Sequence, residues 1–216
     1  AGRGLIGRGP GGARRLAMAA PAYPSLESLL AAVRACRACE AQLPLGPRPV
    51  LRAAPTARIL IVGQAPGARV HATGIPWDDA SGARLRDWLR IDEQAFRDES
   101  RVAIIPMGFC YPGRGSSGDR PPRPECARLW MGEILAWLPH IELTLLVGQH
   151  AQRHFLGDRR LATLSQTVRA WRDYAPAHFP LPHPSPRNNP WLAANPWFRQ
   201  RLLPALRARV REVLAP

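Results

Sequence analysis

The chain is 216 residues long, 46% hydrophobic, and carries a formal net charge of +14. It has no apolar run near the roughly 18 residues of a membrane span, which predicts one soluble domain with a full core and, from the charge, a polyanionic partner such as nucleic acid. All 30 basic residues are arginine, so chemistry that needs a lysine side chain, whether a P-loop, a Schiff base or an amine nucleophile, is excluded.

Residues 1–17, AGRGLIGRGPGGARRLA, are rich in Gly and Arg and contain no acid; such a composition cannot build a core and predicts a disordered tail, with a single domain over 18–216. Ser25 can cap a helix in which Leu26, Leu29, Leu30 and Val33 recur at helical spacing and form one apolar stripe. That helix delivers Cys36 and Cys39, a CxxC pair; the other cysteines are Cys110 and Cys126. Nothing resembles a signal peptide and the cysteine pattern is not that of a secreted disulfide scaffold, so a cytoplasmic setting is expected.

A Pro/Gly-rich connector, 43–55, leads to the apolar run 59–62, which predicts a buried parallel strand closed by the loop GQAPG at 63–67. Beyond GIPWDDASG a helix carries Leu85, Trp88 and Leu89 on one face, and a second strand over 102–105 ends in PMGFCYPG. A long Pro/Gly/Arg loop then precedes a helix from about 124 to 138. A third strand, 143–147, meets a second Gly-Gln pair, Gly148-Gln149, which opens a helix ending at Gly157. Another helix is expected over 161–170 and a fourth strand over 178–181. The last helix starts at Asn195-Pro196 and reaches Leu214 with a break or kink at Pro204.

Strands alternating with helices predict an α/β fold, a four-stranded parallel sheet flanked by helices on both faces, with ligands bound beyond the carboxyl ends of the strands. GQAPG, PMGFC and HPSPRNNPW (183–191) all fall on that edge. The prolines of HPSPRNNPW stiffen an extended backbone that aims His183 and Ser185, followed at once by Arg187, Asn188 and Asn189, which can contact phosphates or base edges.

Taken in order, GQAPG with TGIPW downstream, the four cysteines and HPSPRN resemble the uracil-DNA glycosylase superfamily over about residues 25–200. The first motif is similar to that of the iron-sulfur (family 4-like) branch, and HPSPRN to the last motif of the single-strand-selective monofunctional branch. The resemblance implies a monomeric enzyme of base excision repair that binds uracil-containing DNA, single- or double-stranded, and hydrolyses the N-glycosidic bond to leave an abasic site. It also implies a structural 4Fe-4S cluster on Cys36, Cys39, Cys110 and Cys126, for which a four-cysteine zinc site or buried free thiols are the alternatives.

By the same resemblance His183 donates to the departing base, Trp77 stacks on it where relatives have phenylalanine, and Arg187 enters the gap left in the duplex. The substrate-facing set is Gly63, Ala65, Trp77, Met107, Gly108, Ser185, Arg187 and Asn188. Two positions depart from the pattern. Where many relatives carry an acid to orient water, this chain has Gln64 and Ala65; Gln64 can hold water but cannot take a proton, with Asp78 as a second, electrostatic candidate. Where the iron-sulfur branch has a base-reading asparagine, four residues before the third cysteine, stands Pro106. Reading of the base then falls to backbone groups around 107–109, or to His71 or Asn188. The competing functions are excision of another deaminated base and nucleic-acid binding without cleavage.

Overall fold

The computed structural model describes residues 22–116 and 118–215; the predicted tail over 1–17 lies outside them. Four apolar runs form one parallel sheet: β1 (Ile59–Val62), β2 (Val102–Ile104), β5 (Leu143–Val147) and β6 (His178–Leu181), in the order β2-β1-β5-β6. Between β2 and β5 the chain adds a short antiparallel hairpin, β3 (Arg114–Gly115) and β4 (Gly118–Asp119). Sequence alone had offered only a loop there. Both faces of the sheet are covered, as its unbroken hydrophobic runs require: Ile59, Ile61, Leu143, Leu145 and Val147 point into one core, Leu60, Val62 and Leu146 into the other.

The first core is closed by α3 (Ala80–Leu89) and α10 (Leu203–Leu214), whose Leu85, Trp88, Leu206 and Val210 are buried. The second is closed by α1 (Leu26–Arg34), α6 (Gly132–Ala136) and α7 (Gln149–Leu156). The predicted stripe of α1 is buried, and Ser25 caps it in a reciprocal box with Ser28. The helix expected over 124–138 runs as α5 (Pro124–Cys126), a π-helical stretch Ala127–Met131, and α6. α8 (Leu164–Arg169) is shorter than expected because Thr163 caps it. The break expected at Pro204 takes the form of a π-helical stretch, Phe198–Leu202, leading directly into α10; a proline cannot donate back along the helix, and a wider turn absorbs the loss. The outer edge of β2 is covered by the connector: Arg52 exchanges backbone hydrogen bonds with Ile104 at 2.9 and 2.7 Å.

The short helices α2 (Ala68–Thr73), α4 (Glu93–Arg97) and α9 (Asn189–Ala194) were not anticipated. The first and last extend the two loops at the carboxyl edge of the sheet. No helix of the described residues is long and apolar enough to cross a membrane.

Candidate active site

At the carboxyl ends of β1 and β6 lies a cleft of about 290 Å³, near the lower end of ligand-site volumes. GQAPG supplies one wall, through Gly63, Gln64, Ala65, Pro66 and Gly67; Trp77, Asp79 and Ser81 supply the next; His183, Ser185 and Arg187 the third; Pro106 and Asp119 complete it. Of the residues singled out in the sequence, Gly63, Gln64, Ala65, Trp77, His183, Ser185 and Arg187 are thus brought together.

The backbone N–H of Ser185 donates to Nδ1 of His183 at 3.2 Å, so the neutral ring carries its proton on Nε2. Burial holds the imidazole below its ordinary pKa, while the charges of Asp79 and Asp119 pull the other way. The loop around His183 is braced from within and without. The Asn188 amide donates to the His183 carbonyl at 2.7 Å, and the Ser185 hydroxyl accepts from the Arg187 N–H at 3.3 Å. Arg84 of α3 donates to the Ser185 carbonyl at 3.3 Å and to the Asn189 side chain at 2.8 Å. Asn188 is accordingly a brace of the loop and does not line the cleft.

Trp77 stands beside His183, ring centres 5.6 Å apart and planes inclined by 32°. Its backbone has φ +58°, a left-handed conformation that costs a bulky residue on the order of 1–3 kcal/mol. Two glycines make room for it. A β-carbon on Gly63 would come within 2.9 Å of the indole ring, and one on Gly82 would collide with the Trp77 carbonyl oxygen.

Several expected contacts are placed elsewhere. Met107 and Gly108 are not in the cleft wall; their N–H groups donate to the carbonyls of Gly63 and Gln64, both at 2.9 Å, and the Phe109 N–H donates to the Cys126 sulfur at 3.4 Å. The backbone donors thought free to read a base are therefore committed to holding the two loops together. His71 is also outside the cleft, next to Tyr111. Asp78 is turned away and pairs with Arg97 at 3.6 Å, while Asp79 lines the cleft and caps α3 by accepting from the Gly82 N–H at 2.8 Å. The Gln64 side chain donates to the Arg120 carbonyl at 3.1 Å, so it ties GQAPG to the hairpin segment.

Of the two carboxylates that follow Trp77 in sequence, either of which could cap the next helix, Asp79 and not Asp78 is the one in the cleft, and the cleft's Ser81 and Asp119 escaped sequence reasoning. Ser81 is 92% buried, and its hydroxyl makes no hydrogen bond to another described residue, so its polar contact is available to an occupant of the cleft. The turn chemistry of GRGSSGD was the one signal that a hairpin carries Asp119.

The cysteines do not line this cleft, and Cys39 and Cys110 pack together against Leu43. Cys39, Cys110 and Cys126 are buried. Burial pushes the Cys110 thiol up to about 12 and the Cys126 thiol up to about 11, and in both cases Cys39 and Cys36 add to the effect. Among the described residues no group of three or more Cys, His, Asp or Glu is placed to hold a metal ion. A four-iron cluster sits between its thiolates and holds them farther apart than one zinc with bonds of ~2.3 Å. Thiols are the donors such a cluster takes; Cys39 and Cys110 share one buried cluster with Leu43, and the Cys126 sulfur accepts the Phe109 N–H.

The uracil DNA glycosylase superfamily model matches residues 52–207, and the four-stranded parallel α/β sheet is consistent with that family. The chain belongs to that superfamily and is a DNA glycosylase by family.

Proposed function

We propose that this protein is a monofunctional uracil-DNA glycosylase, which binds DNA, takes a flipped uracil into the cleft beside Trp77 and His183, and leaves an intact strand with an abasic site. The observation that carries the reading is the neutral His183 ring with its proton on Nε2, fixed by the Ser185 N–H. A neutral donor meets full charge only as the glycosidic bond breaks and the base departs as an anion, so it stabilises the transition state more than the bound substrate. Trp77 offers a ring face for stacking. Arg187 is exposed, lines the cleft and lies against Gly118, and is the residue we assign to enter the stack where the base has left. The absence of lysine removes the usual amine for a Schiff base, so water is the nucleophile.

Cys36, Cys39, Cys110 and Cys126 are the ligands we assign to a 4Fe-4S cluster. When bound, it supplies cross-linking of α1, the Cys110 loop and α5, with no part in bond cleavage. The test of substrate is incubation with single- and double-stranded oligonucleotides bearing uracil, hypoxanthine or xanthine, followed by alkali. Cleavage at uracil alone or foremost is expected; cleavage only at another base replaces uracil in this account, and no cleavage ends it.

A further inference from the structure

Hydrolysis of an N-glycoside needs a group that takes a proton from the attacking water, and neither Gln64 nor Ala65 of the first loop can do so. Asp78 is engaged by Arg97, and one carboxylate oxygen of Asp79 is held by the α3 cap. Asp119 is differently placed. It sits at the end of β4 on the cleft wall, with Oδ2 3.7 Å from where a Gly67 β-carbon would be, directly over GQAPG. Its carboxylate makes no hydrogen bond or ion pair with another described residue. The segment is clamped on either side: Gln64 holds the Arg120 carbonyl at 3.1 Å, the Arg120 N–H donates to the Gly113 carbonyl at 2.8 Å, and the Arg187 guanidinium packs on Gly118. Asp119 and His183 line the same cleft.

From this geometry we infer that Asp119, delivered by the β3–β4 hairpin, is the carboxylate that binds and deprotonates the nucleophilic water. The inference rests on the glycosylase reading given above. In the step, the water oxygen forms a bond to the sugar C1′ and its proton passes to Asp119. The C1′–N1 bond breaks, its electron pair leaves with the base, and the resulting anion is held by the Nε2–H of His183. The base then takes a proton from solvent and Asp119 releases its own. Gln64 acts as a positioning residue that keeps the hairpin over the cleft.

The test compares the full-length parent with Asp119→Asn and Asp119→Ala. Single-turnover release of uracil is measured beside affinity for DNA carrying 2′-deoxypseudouridine, whose carbon-carbon glycosidic bond cannot be hydrolysed. Asp119→Asn should excise about 10²-fold more slowly while binding the uncleavable DNA within threefold of the parent. Azide, a nucleophile with no proton to lose, should accelerate the Asp119→Ala variant and not the parent. An Asp119→Asn rate within threefold of the parent overturns the inference. So does loss of rate and affinity together with no azide effect, which assigns Asp119 to DNA binding. A parent that excises only hypoxanthine or xanthine defeats the uracil reading alone, and the same comparison on that base decides the role of Asp119. A parent inert on all three overturns both.

Discussion

The Ser185 N–H donates to His183 Nδ1 at 3.2 Å, and this one backbone bond sets which edge of the imidazole faces away as a donor. It follows from the chain's own stiffness. Proline on either side of Ser185 fixes the backbone, and the turn Pro186–Asn188 is capped by the Ser185 hydroxyl.

A titration follows from the histidine's surroundings. Burial lowers the His183 pKa, so its NMR-detected midpoint should lie below the ordinary 6.5, with the neutral form protonated on Nε2. Asp119→Asn removes an anion that favours the imidazolium, and the midpoint should move lower still. The linkage has a definite sign. The unfolded chain binds the proton more readily than the folded one, so this residue's contribution is fully present above pH 6.5 and is lost as pH falls through and below that value. A midpoint above 6.5, or an upward shift in the variant, would contradict the assignment.

The seat of Trp77 predicts a contrast between two glycines. Gly82→Ala drives a β-carbon into the Trp77 carbonyl, part of a backbone that cannot swing aside, and should destabilise the fold by about 1–3 kcal/mol or more in denaturant unfolding. Gly63→Ala meets the edge of the indole at 2.9 Å. It should tilt the ring, costing affinity for uracil-bearing DNA with less loss of stability. Equal effects of the two substitutions on stability would place the constraint elsewhere.

The cysteine reading is checked by composition and absorbance. Anaerobically purified protein should contain iron and sulfide and absorb broadly at about 400 nm, as thiolate-bound iron does. Cys110→Ser or Cys126→Ser should remove the absorbance and lower the unfolding midpoint. Zinc, or no metal, in the parent would exclude the cluster.

Much of this architecture was legible because the sheet strands are short, continuous apolar runs closed by Gly or Pro. β1, β5 and β6 occur where 59–62, 143–147 and 178–181 predict them. The cleft was legible in its backbone and in His183 and Trp77, since the loops that carry them follow strands. What stayed hidden depends on contacts distant in sequence. Asp119 lies over GQAPG beside a bond from Gln64 to Arg120, 56 residues away, and Arg84 braces a loop 101 residues on. Met107 and Gly108 look like free donors in a list of residues. Only the pairing of their loop with Gly63 and Gln64 removes them. Asp78 and Asp79 are chemically identical neighbours, and the helix cap decides which one faces the cleft.

The lack of lysine predicts the fate of the cut strand. Borohydride added during turnover should trap no covalent protein–DNA species, and the product strand should break only on treatment with alkali or heat. An adduct trapped efficiently would require an amine nucleophile, for which the N-terminus is the remaining source, and would refute hydrolysis by water.

The central claim is that His183 stabilises a departing uracil, and single-turnover release of uracil by the parent and by His183→Ala tests it most directly. The parent should release free base, and the variant should be slower by about 10²-fold or more, the scale of removing one preorganised donor to developing charge. A variant that excises uracil within threefold of an active parent would contradict the account.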